Sequence, residues 1–91
     1  MIVKISDYGG QNNSKFIEYE VSGLFPNQIK FLADNLNEET SVNEEGLIIK
    51  MYFEDRLYPF QSEVSKFRLN DFIAREEIEM TLFLSSFLED M

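Results

Sequence analysis

The chain contains no cysteine, no histidine and no tryptophan. Without cysteine there is no disulfide framework, no thiolate metal site and no thiol nucleophile. Without histidine the Ser-His and Cys-His catalytic arrangements and histidine-ligated metal centres are excluded as well. Basic residues are scarce: eight Lys and Arg stand against seventeen Asp and Glu, a formal charge of -9. Lys4, Lys15, Lys30, Lys50, Arg56, Lys66, Arg68 and Arg75 are scattered and never reach three in a short window. Displacing the counterions of a nucleic acid needs clustered cations, so direct binding of DNA or RNA is not expected, nor is attachment to an anionic membrane. No apolar run approaches the roughly 18 residues of a membrane helix. The opening MIVKISDYGG is too short and too polar for a signal peptide, which points to a cytoplasmic protein.

What is present suffices for one core. At 91 residues, with 44% hydrophobic residues including nine Phe and four Tyr, the chain reads as a single domain, 1–91, with no linker, internal repeat or low-complexity segment. A domain of this size buries somewhat over ~60% of its unfolded surface, and the aromatic rings supply large areas per residue.

The last third, Asn70 to Met91, has neither Gly nor Pro. At helical spacing Phe72, Ile73, Met80, Phe83, Leu84, Phe87, Leu88 and Met91 fall on one stripe, interrupted at Glu76. Residues 78–84 also alternate at a period of two, but the longer pattern, the good helix formers and Asn70 as a cap favour a helix throughout. Ile78 and Leu82 lie off the main stripe and are expected on another face.

At the other end, Met1 to Asp7 and Lys15 to Val21 alternate as strands, and the turn-rich Tyr8 to Ser14 predicts a hairpin with a loop longer than two residues. Gly9-Gly10 lacks the lysine and following helix of a phosphate-binding loop. Pro26 suits the first turn of a helix reaching about Leu36, with Ile29, Leu32, Ala33 and Leu36 on one stripe. The polar NEETSVNEE, Asn37 to Glu45, reads as a loop. Gly46 opens LIIKMYF, the most strand-like run, whose apolar residues on both faces predict a central strand with Tyr52 in the core. Leu57 to Phe60 is expected as a short edge strand confined there by Pro59. The expectation is an α+β class: a small two-layer domain with an antiparallel or mixed sheet of three to four strands and two helices, in the order β-β-α-β-(β)-α.

Candidate chemistry is thin. Two isolated carboxylates such as Glu54 and Glu77 are no sign of a catalytic pair, so no enzyme and no cofactor are expected. Asp34 and Glu45 stand at the first and twelfth positions of a calcium-loop spacing, but Leu36 occupies a ligand position and Glu39 the glycine position, so no metal site is expected. Two acidic clusters remain: Glu76, Glu77 and Glu79 on the final helix, then Glu38, Glu39, Glu44 and Glu45 in the loop. Arg75 has Glu79 one turn away, leaving Glu76 and Glu77 without an obvious partner. Such clusters are most often solvated faces, yet unpaired acids on one side also steer a basic partner. Tyr8 and Tyr58, beside turns, would add anchors.

The favoured expectation is a small stoichiometric inhibitor that occupies the basic channel of a nuclease or RNA-guided defence complex: a phage anti-defence, anti-CRISPR-like protein or a toxin's immunity protein. Its partner is a protein with a basic surface, a nucleic-acid-handling enzyme. The alternative is a non-catalytic interaction module or oligomeric subunit, a homodimer for instance, whose acidity serves solubility only.

Overall fold

The computed structural model describes residues 1–11, 14–44, 46–53 and 66–91, with the backbone alone for Gln11, Ser14 and residues 66–68. The elements are β1 (Ile2–Gln11), β2 (Ser14–Ser22), α1 (Pro26–Asn35), β3 (Glu39–Asn43), β4 (Gly46–Phe53) and α2 (Lys66–Leu88). The class is α+β: a four-stranded antiparallel sheet in the order β1-β2-β4-β3, with two helices.

Alternation along the strands decides which side chains meet the helices. Leu47, Ile49, Met51 and Phe53 of β4 stand in register with Val21, Tyr19, Ile17 and Lys15 of β2, and Val3 and Ile5 of β1 continue two of these rows. Leu32 of α1 and Met80 and Leu84 of α2 close on this face, and Phe72, Ile73, Phe87 and Leu88 pack around them. The two helices meet through Phe31 and Phe87, whose ring centroids lie 5.6 Å apart. Leu84 is fully buried, and truncating such a leucine to alanine costs about 2–5 kcal/mol.

The predicted hairpin, first helix and central strand all form, as does a helix rather than a strand at 78–84. Helix α1 starts at Pro26, and its entry is closed by Gln28, whose side-chain oxygen accepts from the Phe25 amide at 2.8 Å. Four expectations are corrected. The hairpin loop is not long: β1 and β2 pair as far as Gln11 and Ser14, leaving only residues 12–13 between them. Past a bulge between Ile5 and Asp7 the pairing resumes in a shifted register, with Tyr8 opposite Ile17 and Gly9 opposite Phe16.

Residues 39–43 are a strand, not a loop. As an edge strand, β3 needs little apolar content of its own, because pairing with β4 supplies its order and one side stays in water. Its turn into β4 is held by Asn43, whose side-chain oxygen accepts from the Gly46 amide at 2.8 Å. Gly46 has φ 149°, and a Cβ there would lie 2.1 Å from the Val21 carbonyl oxygen, so no other residue fits.

Helix α2 begins at Lys66, so Asn70 lies inside it and does not cap it; Leu69, packed against the core, continues the apolar stripe toward the N-terminus. Tyr52 is 54% exposed rather than in the core, since β4 alternates and Ile48, Lys50 and Tyr52 look away from the helices. The expected edge strand at Leu57 to Phe60 lies outside the described residues.

Candidate functional site

The acids singled out by the sequence fall into three different situations. Glu77 has a partner 72 residues away: its Oε2 accepts from the backbone amide of Ile5 at 2.8 Å. Ile5 adjoins the bulge of β1, where pairing with β2 slips, and the bulge residue Ser6 donates its hydroxyl to Glu18 Oε2 at 3.0 Å. The irregular strand is thus held by one carboxylate from the neighbouring strand, on the Ser6 hydroxyl, and one from the helix, on a backbone donor of this edge strand. Glu77 is therefore engaged in docking α2 onto β1.

Glu76 and Glu79 face the other way, into an open groove of about 200 Å³. Tyr19, Met51 and Phe53 form its sheet side, and Met80 and Phe83 its helix side. Burial, then the neighbouring Glu79, pushes the Glu76 carboxyl above its ordinary value, while Arg75 acts in the opposite direction. Arg75 Nε lies 3.3 Å from Glu79 Oε1, with both side chains more than half exposed, so the pair is weak and replaceable. Among the described residues Glu76 has no hydrogen-bond donor.

Large apolar groups of α2 stand in water: Phe83, at the groove wall, is 50% exposed, and Ile78 and Leu82, outside the groove, are 61% and 65% exposed. The last two are as their position off the main stripe predicts. Phe83 departs from its expected place in the core, because it sits at the flank of the stripe and packs at a tilt against Phe87, with centroids 5.9 Å apart.

The second acidic cluster is not brought to the groove. Glu39 stands opposite Lys50 on the sheet face turned away from the helices, and its Oε2 accepts from the Tyr52 hydroxyl at 2.6 Å. That hydrogen bond holds the Tyr52 hydroxyl above its ordinary pKa. Lys50 lies 4.5 Å from the ring centroid of Phe16 and 5.6 Å from that of Tyr52, so its ammonium is spread over two rings beside Glu39. Glu38 is half-buried ahead of β3, Glu44 is exposed in the turn after it, and Glu45 lies outside the described residues. Sequence reasoning missed Lys50 and Tyr52 as surface residues; their spacing of two along β4 was the available signal.

Among the described residues no group of three or more acidic side chains is placed to hold a metal ion, and no helix is long and apolar enough to cross a membrane. Fold and surface together define a small acidic α+β domain with a half-open apolar groove bordered by carboxylates. Residues 2–90 match the family described as a family of unknown function, DUF5750, and the chain belongs to that family. No curated protein matches it.

Proposed function

We propose that the protein works by binding rather than catalysis, as a small acidic stoichiometric inhibitor that occupies the basic nucleic-acid channel of a nuclease or RNA-guided defence complex. A phage anti-defence protein or a toxin's immunity protein acts in this way. The observation that carries the reading is the groove flank of α2, where Glu76 and Glu79 border an apolar groove beside the half-exposed Phe83, on a chain of formal charge -9. Apolar side chains supply the desolvated centre of an interface, and carboxylates beside them steer a positive partner and fix its register. Glu77 is left out of this surface because it is bonded to β1, and Glu39 because it lies on the other face of the sheet; Glu38 and Glu44 do not line the groove.

The test is capture of partners from native host lysate at low and high salt, followed by titration of any captured nuclease with the purified protein. One-to-one loss of cleavage is expected, with an on-rate that falls as salt rises. Glu76→Lys with Glu79→Lys, leaving Glu77 in place, should slow association at least about tenfold. Recovery of nothing but the protein itself, or inhibition indifferent to salt and to the charge reversal, refutes the proposal.

A second reading is a self-associating module or oligomeric subunit. It is favoured by Ile78 and Leu82, one helical turn apart and both more than 60% exposed. A charge of -9 on each copy opposes close approach, so this reading requires a dimer that strengthens with added salt in sedimentation.

A further inference from the structure

The groove beside Glu76 has its own chemistry, which narrows the kind of contact a partner makes there. Its volume of about 200 Å³ is below the about 300–1,000 Å³ of pockets that enclose small-molecule ligands, so it is sized for one side chain. Its walls are apolar, yet two carboxylates border it and a single guanidinium, that of Arg75, stands by, which leaves one negative charge over among the described residues. A wholly apolar occupant would cover the carboxylates without replacing their water, and an anion would be repelled. A long basic side chain meets both demands, since it has an aliphatic stem and a cationic head.

Resting on the inhibitor reading, we propose that this groove receives a single lysine or arginine side chain of the partner protein. Its stem lies along Met51, Met80 and Phe83, and its charged head sits between Glu76 and Glu79. The Met side chains adapt their shape to the stem, and the Phe83 ring offers its face to the cation. Arg75 shares Glu79 with the incoming group or swings into water, at little cost because the existing pair is exposed.

Methionine methyl signals report the groove without any partner. Met51 and Met80 line it, while Met1 and Met91 are exposed elsewhere and act as internal references. Titration of the full chain with n-butylguanidinium should give saturable shifts at Met51 and Met80, of about millimolar affinity for so small a probe. Butyrate should give none. Glu76→Gln with Glu79→Gln, isosteric changes away from the Ile5 bond, should weaken n-butylguanidinium by about threefold or more. The inference is overturned if 1-pentanol shifts the same methyls as strongly as n-butylguanidinium, if the double variant binds the cation unchanged, or if no localised shift occurs. Loss of n-butylguanidinium binding in the double variant with partner inhibition intact refutes the groove contact alone. Saturable cation binding with no nuclease ever captured supports the groove and refutes the inhibitor reading instead.

Discussion

Glu77 offers the most direct check on how this fold is held. Its carboxylate accepts a 2.8 Å hydrogen bond from the Ile5 amide beside the β1 bulge, in a half-buried position. A hydrogen bond to a charged group contributes about 1.5–3 kcal/mol, and alanine is the better helix former by about 0.4 kcal/mol, so Glu77→Ala should lose roughly 1–2.5 kcal/mol net. Taking a urea slope of about 1.5 kcal/mol/M for a small domain, the unfolding midpoint should fall by about 0.7–1.7 M with the slope unchanged. Glu79→Ala is the control: it removes only an exposed pair with Arg75 and should cost at most about 0.5 kcal/mol. Hydrogen exchange gives a local reading, because the Ile5 amide should lose protection in Glu77→Ala while the amide of buried Val21 keeps most of its own. Glu77→Gln keeps an acceptor oxygen and should fall between the two. If Glu77→Ala and Glu79→Ala shift the midpoint equally, or if Ile5 exchange does not change, the helix is not tied to the bulge and the assignment of Glu77 to docking is wrong.

Three further outcomes are expected. Glu76→Gln should raise stability at neutral pH and leave it unchanged in acid. The Glu76 carboxyl is pushed up in the folded state by burial, so its charged form is penalised above the folded pKa, and the penalty vanishes as pH falls below the unfolded value; equal urea midpoints at neutral pH would count against this. Gly46→Ala should cost about 3 kcal/mol or more, since its Cβ meets the Val21 carbonyl at 2.1 Å in a backbone conformation that L-residues avoid, and a variant melting like the parent would contradict the β3–β4 turn. Ile49→Lys should cost at least about 3 kcal/mol, because Ile49 is 1% exposed in a strand paired on both sides; cooperative, near-parental unfolding would rule out β4 as the centre of the sheet.

Much of the fold is legible along the chain. The spacing of Ile29, Leu32, Ala33 and Leu36, of Met80, Leu84, Phe87 and Leu88, and of Ile17, Tyr19 and Val21 depends on local geometry alone, since a helix or strand presents one face at a fixed period. Those patterns determine the element types, the α+β class and the residues that enter the core. The exposure of Ile78 and Leu82 follows from the same periodicity.

Tertiary structure decided what local pattern does not encode. Glu39 to Asn43 is polar enough to read as a loop, and becomes a strand only because β4 offers it a ladder of backbone partners. Tyr52 reads as core in an apolar run, but β4 is covered by helices on one side only, so every second residue looks away from them. The acids show the limit most clearly. Glu76, Glu77 and Glu79 are near neighbours in sequence, yet one bonds an amide 72 residues away and the other two border a groove, while Glu39 lies on the opposite face of the sheet. Composition determines how much negative charge the chain carries. Which carboxylates are engaged and which border the groove depends on long-range contacts, and these exist only once the sheet has paired and α2 has packed across it.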